Sequence, residues 1–402
     1  MEDFRTEFLQ SAQALQEELT AWRRDLHQHP ELGFDLTYTK AFVKARLEEM
    51  GYQPKACGKA GLTVTAGKPA QKCVLIRGDM DALPIQEEAD VPYRSQTPGQ
   101  MHACGHDMHT AMMLGAAKLL KKYEDKLAGQ VKLMFQPAEE IMAGSQDMIE
   151  NGVLEGVDAA LMLHVMTGTP IPRGFIMIPE GGTGSASSDF FTITVKGKGG
   201  HGAMPQLSID PITAAAHILL ALQEIHAREL TPGDFLVITP GIFQAGKAAN
   251  VIPDTAVMQG TIRTGDVEMV AFAKKRIAEI AEATAKAFRT EAVVEFSGSC
   301  PPMIADNSMS DAARKYLTEL MPQHILPPMT GNGNKIGGGS EDFAFVSVQV
   351  PTIGLFLSTG GTGDGCQYPQ HHPKAVFDDS VLHLGAAAYS YFAIRWLADN
   401  NP

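Results

Sequence analysis

Apolar positions recur at helical spacing from Phe4 to His27, where Leu15, Leu19, Trp22 and Leu26 fall at i, i+4, i+7 and i+11. One apolar stripe predicts one helix, stopped by Pro30. A second helix is predicted over 37–50, with Gly51 as its C-terminal residue. Short apolar runs then alternate with helical stretches: strands over 62–66 and 74–77, a helix over 110–123, a strand over 131–135, another helix, a turn at Asn151-Gly152 and a strand over 159–163. This rhythm is that of an α/β fold with a mostly parallel sheet. Near residue 183, within G-G-T-G-S-A-S-S, the rhythm changes. A strand over 189–195, a helix over 209–224, strands over 235–243 and 255–264, a helix over 267–288 and a strand over 292–296 follow. That β-α-β-β-α-β order is ferredoxin-like. The α/β pattern then resumes, with Gly337-Gly338-Gly339-Ser340-Glu341-Asp342-Phe343 as a backbone turn and a closing helix over 381–396. The expected organisation is a discontinuous domain, 1–182 with 298–402, interrupted by an inserted domain, 183–297.

The titratable residues cluster where these elements meet. M-H-A-C-G-H-D-M-H-T, residues 101–110, packs Cys104, His106 and His109 into six residues. A thiolate and an imidazole two residues apart can reach one cation from a loop that Gly105 lets bend. Glu139 and Glu140 stand side by side after an apolar run, so their side chains must diverge: one can ligate a cation while the other faces water as a base. His164 ends a strand-like run, and His371-His372-Pro373 lies near the end of the chain. Asp79 and Asp81 follow a strand end, where α/β sheets place ligands; they either hold a ligating imidazole, reach the metal directly, or are ordinary turn aspartates. Singly, such a Cys is a small buried hydrophobe and such a His a satisfied imidazole. The metal reading rests on the set.

Length and charge narrow the class. A chain of 402 residues suggests two domains, and 33 basic against 46 acidic residues, a formal charge of −13 without a Lys/Arg-rich run, argue against nucleic acid or anionic membrane as partner. Met1-Glu2-Asp3-Phe4-Arg5 has no apolar leader, and no run of about eighteen apolar residues occurs anywhere, so a cytoplasmic protein is expected. Cys57, Cys73, Cys104, Cys300 and Cys366 are odd in number and widely spaced, unlike a disulfide framework.

Eight motifs carry a resemblance over nearly the whole length: H-x-x-P-E-L-G-F at 27–34, D-M-D-A-L-P at 79–84, H-A-C-G-H-D at 102–107, Q-P-A-E-E at 136–140, G-G-H-G-A-M-P at 199–205, N-V-I-P-D at 250–254, G-T-I-R-T at 260–264 and G-S-E-D-F at 339–343. The chain resembles amidohydrolases of peptidase family M20, in the branch that holds hippurate hydrolases, auxin-conjugate hydrolases and N-acyl-amino-acid deacylases. The resemblance implies a mostly parallel-sheet metallohydrolase domain with an inserted ferredoxin-like domain that serves as lid and dimerisation surface. It implies that Cys104, His106, Glu140, His164 and His371 ligate two divalent metal ions per subunit (Zn, Mn, Co or Ni), with Glu139 as catalytic acid/base. Cys104 marks this branch, and the family's H-x-P pattern selects His371 over His372. Asp79, Asp81 and Asp107 are expected to support the ligands. His201 resembles a transition-state donor that reaches the other subunit's site, which implies a homodimer, and Asn250 and Arg263 resemble a grip for the substrate carboxylate.

The implied activity is hydrolysis of a small N-acyl amino acid to a carboxylic acid and a free amino acid. An N-acetyl-diaminopimelate deacetylase and a metallo-dipeptidase or aminopeptidase are the alternatives. The latter must anchor a free amino group, for which no acidic residue stands out. A silent metal-binding protein would lack a base or a ligand, and every one is present.

Overall fold

The segment Cys73–Asp79 is buried at every position. With no solvent face it belongs at the centre of a sheet covered on both sides. The computed structural model, which describes residues 2–327 and 339–401, divides into two compact units. One comprises Met1–Gly182, Ile304–Asn334 and Asp342–Pro402, the other Thr183–Met303 and Lys335–Glu341.

The first unit is built on a seven-stranded sheet in the order Lys55–Cys57, Gly61–Ala66, Gln130–Gln136, Cys73–Asp79, Ala159–Thr169, Thr352–Gly361, Ile176–Met177. Cys73–Asp79 pairs in parallel with both Gln130–Gln136 and Ala159–Thr169, and Thr352–Gly361 also runs parallel to Ala159–Thr169. The outer strands join antiparallel. The fold is therefore α/β with a mostly parallel sheet. Parallel inner strands bring their carboxyl ends to one rim, so Asp79, the Pro137–Glu140 turn and His164 share a side of the sheet.

Two helices secure that rim. His106–Lys122 and Leu382–Asn400 are buried over most of their length and pack so closely that a Cβ on Gly385 would lie 2.0 Å from Met112 Sδ. From the second helix the buried Tyr389 hydroxyl donates to the Arg77 carbonyl (2.7 Å) and accepts from the Leu163 amide (3.0 Å). It thereby pins together the strands that carry Asp79 and His164.

Three expectations about elements need correction. The helix predicted over 4–27 is two helices, Glu2–Gln13 and Gln16–Gln28. Phe8 and Ala12 belong to an earlier stripe than Leu19 and Trp22, and a turn at Ala14-Leu15 lets both stripes enter one core. The helix predicted to start at Thr110 starts at His106. Gly105, in the left-handed region at φ +87, turns the chain there, and a Cβ in its place would stand 2.4 Å from Val165 Cγ2. His164 lies inside the strand Ala159–Thr169, not beyond its end.

The second unit runs β-α-β-β-α-β: Ser188–Lys196, Pro211–Ala221, Leu236–Ala245, Thr255–Thr264, Val267–Ala287, Glu291–Cys300. Its four strands are antiparallel in the order 236–245, 255–264, 188–196, 291–300. Its core packs Ala214, Ile218, Ala273 and Ile277 of the helices with Phe191, Ile193, Met258 and Ile262 of the sheet. Gly337 and Gly338 of the glycine turn lie outside the described residues. Among the described residues, no helix is long and apolar enough to cross a membrane.

Candidate metal centre

The first unit's rim converges on Cys104. Its Sγ lies 3.5 Å from His164 Nε2 and 3.3 Å from His371 Nε2. His106 and Glu140 complete the group, with His106 Nε2 3.8 Å and His371 Nε2 3.6 Å from Glu140 Oε1. Hydrogen bonds orient two of the imidazoles: His106 Nδ1 donates to the Asp81 carbonyl (2.9 Å) and His164 Nδ1 to the Val165 carbonyl (2.7 Å). Each is thereby held in the tautomer that turns Nε2 inward, the arrangement that outer partners give metal-bound histidines. His372 turns elsewhere, its Nδ1 accepting from the Lys374 amide (3.0 Å) and its ring stacked on Tyr368.

The backbone is strained around this cluster. Ala138, Met142 and His371 are non-glycine residues at φ +55, +54 and +65. Left-handed backbone at such residues persists only where the surroundings impose it, and it gathers at functional sites. Asp81 supplies part of the constraint, since its carboxylate accepts the Glu139 amide (3.0 Å) at one oxygen and the Glu140 amide (3.2 Å) at the other. With the turn fixed, the adjacent carboxylates take different partners, although one atom each of His106, Glu139 and Glu140 still lie within 4.8 Å of one another. Glu140 joins His106 and His371, while Glu139 Oε1 accepts from the Asp342 amide at 3.4 Å.

The donor set fits a divalent cation. His106 Nε2 and Glu140 Oε1 are buried without a hydrogen-bond partner among the described residues, which is costly unless a ligand satisfies them. Burial pushes the Cys104 thiol up and the Glu140 carboxyl up to about 7. A cation reverses both tendencies, because it stabilises thiolate and carboxylate directly. Cys104, His106 and His164 can offer atoms to one ion, and Cys104, Glu140 and His371 to another. One thiolate, one carboxylate and three imidazoles suit Zn²⁺ or its borderline neighbours.

His109 is not part of that donor set, although it approaches Asp79 and His106. Its Nε2 accepts from the Val165 amide (2.8 Å) and its Nδ1 donates to Asp79 Oδ1 (2.5 Å), so both nitrogens are used. Burial drives its pKa down to about 4 and keeps it neutral. The other Asp79 oxygen receives Arg77 (2.6 Å). Burial alone would raise the Asp79 carboxyl, but Arg77, His106 and His109 outweigh it and hold it well below the usual range. Asp79 thus holds His109 with one oxygen and Arg77 with the other.

Sequence reasoning missed two buried charge clusters behind the centre. Arg77 donates to Gln136 Oε1 (2.8 Å), Asp79 Oδ2 and Asp342 Oδ1 (3.1 Å). Asp342 also receives the Gln136 amide nitrogen (2.6 Å) and the Ser145 amide (2.9 Å). In the second cluster, Asp107 accepts Arg23 Nε (2.6 Å) and His27 Nδ1 (2.8 Å), and His27 Nε2 faces Glu87 (3.2 Å). Burial opposes the His27 charge, but Asp107 outweighs it and raises that imidazole's pKa. Asp107 thereby ties the helix Gln16–Gln28 to the first turn of the helix that begins at His106. The available signal was membership in motifs: His27, Gln136 and Asp342 each lie in one, without a pattern that names their partners.

The remaining expected site residues lie on the second unit. The exposed His201 pairs with Val251 across a short antiparallel ladder, and the Gly202 amide donates to the Asn250 carbonyl (2.9 Å). His201 and Asn250 are therefore neighbours. Arg263 lies apart from them, donating to the Ser340 hydroxyl (2.6 Å) and the Ser187 carbonyl (3.3 Å).

The family model for peptidase family M20/M25/M40 matches residues 75–395. The chain belongs to this family. It is 37% identical over 96% of its length to an N-acetyl-L-cysteine deacetylase of Bacillus subtilis, covering 90% of that protein. It is 36% identical over 94% of its length to IAA-amino acid hydrolase ILR1-like 4 of Arabidopsis thaliana, covering 85%. Among solved structures it is similar to a dinuclear metal-binding peptidase of the M20 family from Bacillus subtilis, with TM-score 0.82, 33% identity and coverage of 96% of this chain and 99% of that one. As an M20-family hydrolase, the chain brings a cysteine, three histidines and a glutamate together at the rim where its parallel strands end.

Proposed function

We propose that this M20 hydrolase cleaves the amide bond of small N-acyl amino acids, releasing a carboxylic acid and a free amino acid, with two divalent metal ions held by Cys104, His106, Glu140, His164 and His371. The observation that carries this reading is the turn fixed by Asp81, on which Glu140 meets His106 and His371 while Glu139 is held by the Asp342 amide yet stays within reach of His106 and Glu140. Bound there, divalent cations supply a water of lowered pKa and polarise the scissile carbonyl. Glu139 takes a proton from the attacking water and delivers it to the leaving nitrogen, the role of a positioned carboxylate within reach of both. The Asp342 amide, through Glu139 Oε1, orients that carboxylate. His201 donates a hydrogen bond to the developing oxyanion, and Asn250 and Arg263 grip the carboxylate of the amino-acid half. The names of the deacetylase and the IAA-amino acid hydrolase support the substrate class. A panel of N-acetyl and N-benzoyl amino acids beside dipeptides and N-acetyl-diaminopimelate tests it; cleavage of dipeptides alone would overturn the assignment.

Removing the metal is expected to lower the thermal midpoint, and restoring it to raise the midpoint again, because an ion that binds only the folded chain stabilises it by mass action. A midpoint insensitive to chelation, with metal shown absent, would count against the centre.

The second unit serves, in this reading, as lid and homodimer surface. Its strand Leu236–Ala245 is a sheet edge with Val237, Ile242 and Phe243 exposed, the kind of edge that pairs with a second copy. If His201 acts in the partner's site, His201→Ala and Glu139→Gln chains are each inactive alone but recover on mixing. Random reassortment makes about half the dimers mixed, each with one working site of two, so about a quarter of parental activity returns. Verified subunit exchange without recovery would place His201 in its own subunit's site or outside catalysis.

A further inference from the structure

His371 differs from the other donors of the centre. It alone among the five is exposed. His106 and His164 are turned by Nδ1 bonds to backbone carbonyls, whereas among the described residues the His371 ring meets partners through Nε2 alone. The ring is therefore aimed by its backbone, which stands in the left-handed region at φ +65. Such backbone persists only where the surroundings impose it.

Two backbone hydrogen bonds tie that segment to the rest of the first unit. The His371 amide donates to the Ala103 carbonyl (2.8 Å), and the Pro373 carbonyl accepts from the Glu88 amide (2.8 Å). The first runs straight to the loop that carries Cys104. The second runs to the peptide unit 87–88, whose carbonyl accepts from Arg94. The Glu87 side chain anchors that unit from within. It is 1% exposed and accepts His27 Nε2 at one oxygen (3.2 Å) and the Ser95 amide at the other (2.7 Å). His27 Nδ1 in turn donates to Asp107 (2.8 Å), in the first turn of the helix that begins at His106. Both tethers of the His371 segment thus end on residues 103–107, one directly and one through Glu87 and His27.

We propose that Glu87, through its bond to His27 and the Glu88 amide, is a positioning residue for His371 and sets how far that imidazole stands from Cys104 and Glu140. This rests on the two-metal amidohydrolase reading and adds to it what places the least anchored ligand. A ligand whose outer support is removed binds its ion more weakly. His106 and His164 keep their own carbonyl partners when Glu87 is replaced, so the effect falls on the ion to which Cys104, Glu140 and His371 can offer atoms.

The test measures the affinities of both zinc ions by chelator competition in the parent, Glu87→Ala, Glu87→Gln, His371→Ala and the double variant Glu87→Ala/His371→Ala, with folding checked by the thermal midpoint of the metal-free chains. Glu87→Ala should weaken one ion about 10–100-fold, the range for removing an outer partner of a ligand, and leave the other within about threefold. In the His371→Ala background the dependent ion has already lost its donor, so Glu87→Ala should move the remaining ion by no more than about threefold. A generally loosened fold would instead weaken both ions, and would do so in either background. Glu87→Gln keeps the volume, but its single carbonyl oxygen cannot take both donors where the carboxylate gave one oxygen to each; it reads the same selective loss if Glu87→Ala does not fold. Both ions within about threefold of the parent in a folded Glu87 variant overturns the assignment, as does a loss that persists on the remaining ion in the His371→Ala background. A parent that binds fewer than two zinc ions sinks the underlying reading, a result distinct from two ions bound with unmoved affinities.

Discussion

Glu139→Gln is expected to lower turnover by about 10²–10⁴-fold at unchanged metal content, the range for losing a general base. The amide keeps the length and one acceptor oxygen, so the Asp342 amide retains its partner. The Asp81 carboxylate accepts the backbone amides of residues 139 and 140, which the substitution leaves unchanged, and therefore continues to fix the turn. What disappears is the capacity to take a proton. Metal analysis beside single-turnover rates separates the two contributions. A variant within a few-fold of the parent at equal metal content would remove Glu139 from its role, and one that lost metal would make it a ligand.

Arg77→Met is expected to destabilise the fold by about 3–5 kcal/mol, the cost of leaving buried charge without its partner. Arg77 is 1% exposed and stands between the carboxylates of Asp79 and Asp342, both fully buried. Methionine fills similar volume with an apolar chain, so the loss measures charge rather than a cavity. Asp79 then keeps His109 and the nearby His106 at the rim, and Asp342, whose amide meets Glu139, loses one of the groups that hold it. Denaturant midpoints at an unchanged slope give the stability, and kcat gives the effect on Glu139. A loss below about 1 kcal/mol would mean that the two carboxylates are neutralised in some other way.

The sheet was legible because its buried parallel strands carry short apolar runs, Val74–Ile76 and Leu133–Phe135, and the second unit was legible because its strands alternate. The start of the helix at His106 was hidden: titratable residues occupy its first turn and mask a spacing that begins at Met108. Leu15 appeared as one more turn of a long helix, and only the shared core shows that the chain bends there. Of the site, the residues compressed into short motifs were visible, and their supports were not. An arginine in a strand, such as Arg77, ordinarily reads as a solvated side chain. Besides the nearby Asp79, its partners come from residues 136 and 342, and no spacing rule links positions that only the fold brings together.

The Tyr389 hydroxyl bears on how the enzyme is made. It joins the strands carrying Arg77 and Leu163 from within the helix Leu382–Asn400, and His371 lies eleven residues before that helix starts. A growing chain has therefore produced Cys104, His106, Glu140 and His164 long before it can align them, and domains fold as units once their sequence has emerged. Until then the thiol and imidazoles are an open set of weak donors, available to any passing cation and to oxidants. For the proposed centre, selection of the ion consequently waits until the helix Leu382–Asn400 is in place, when all five donors can be held at once.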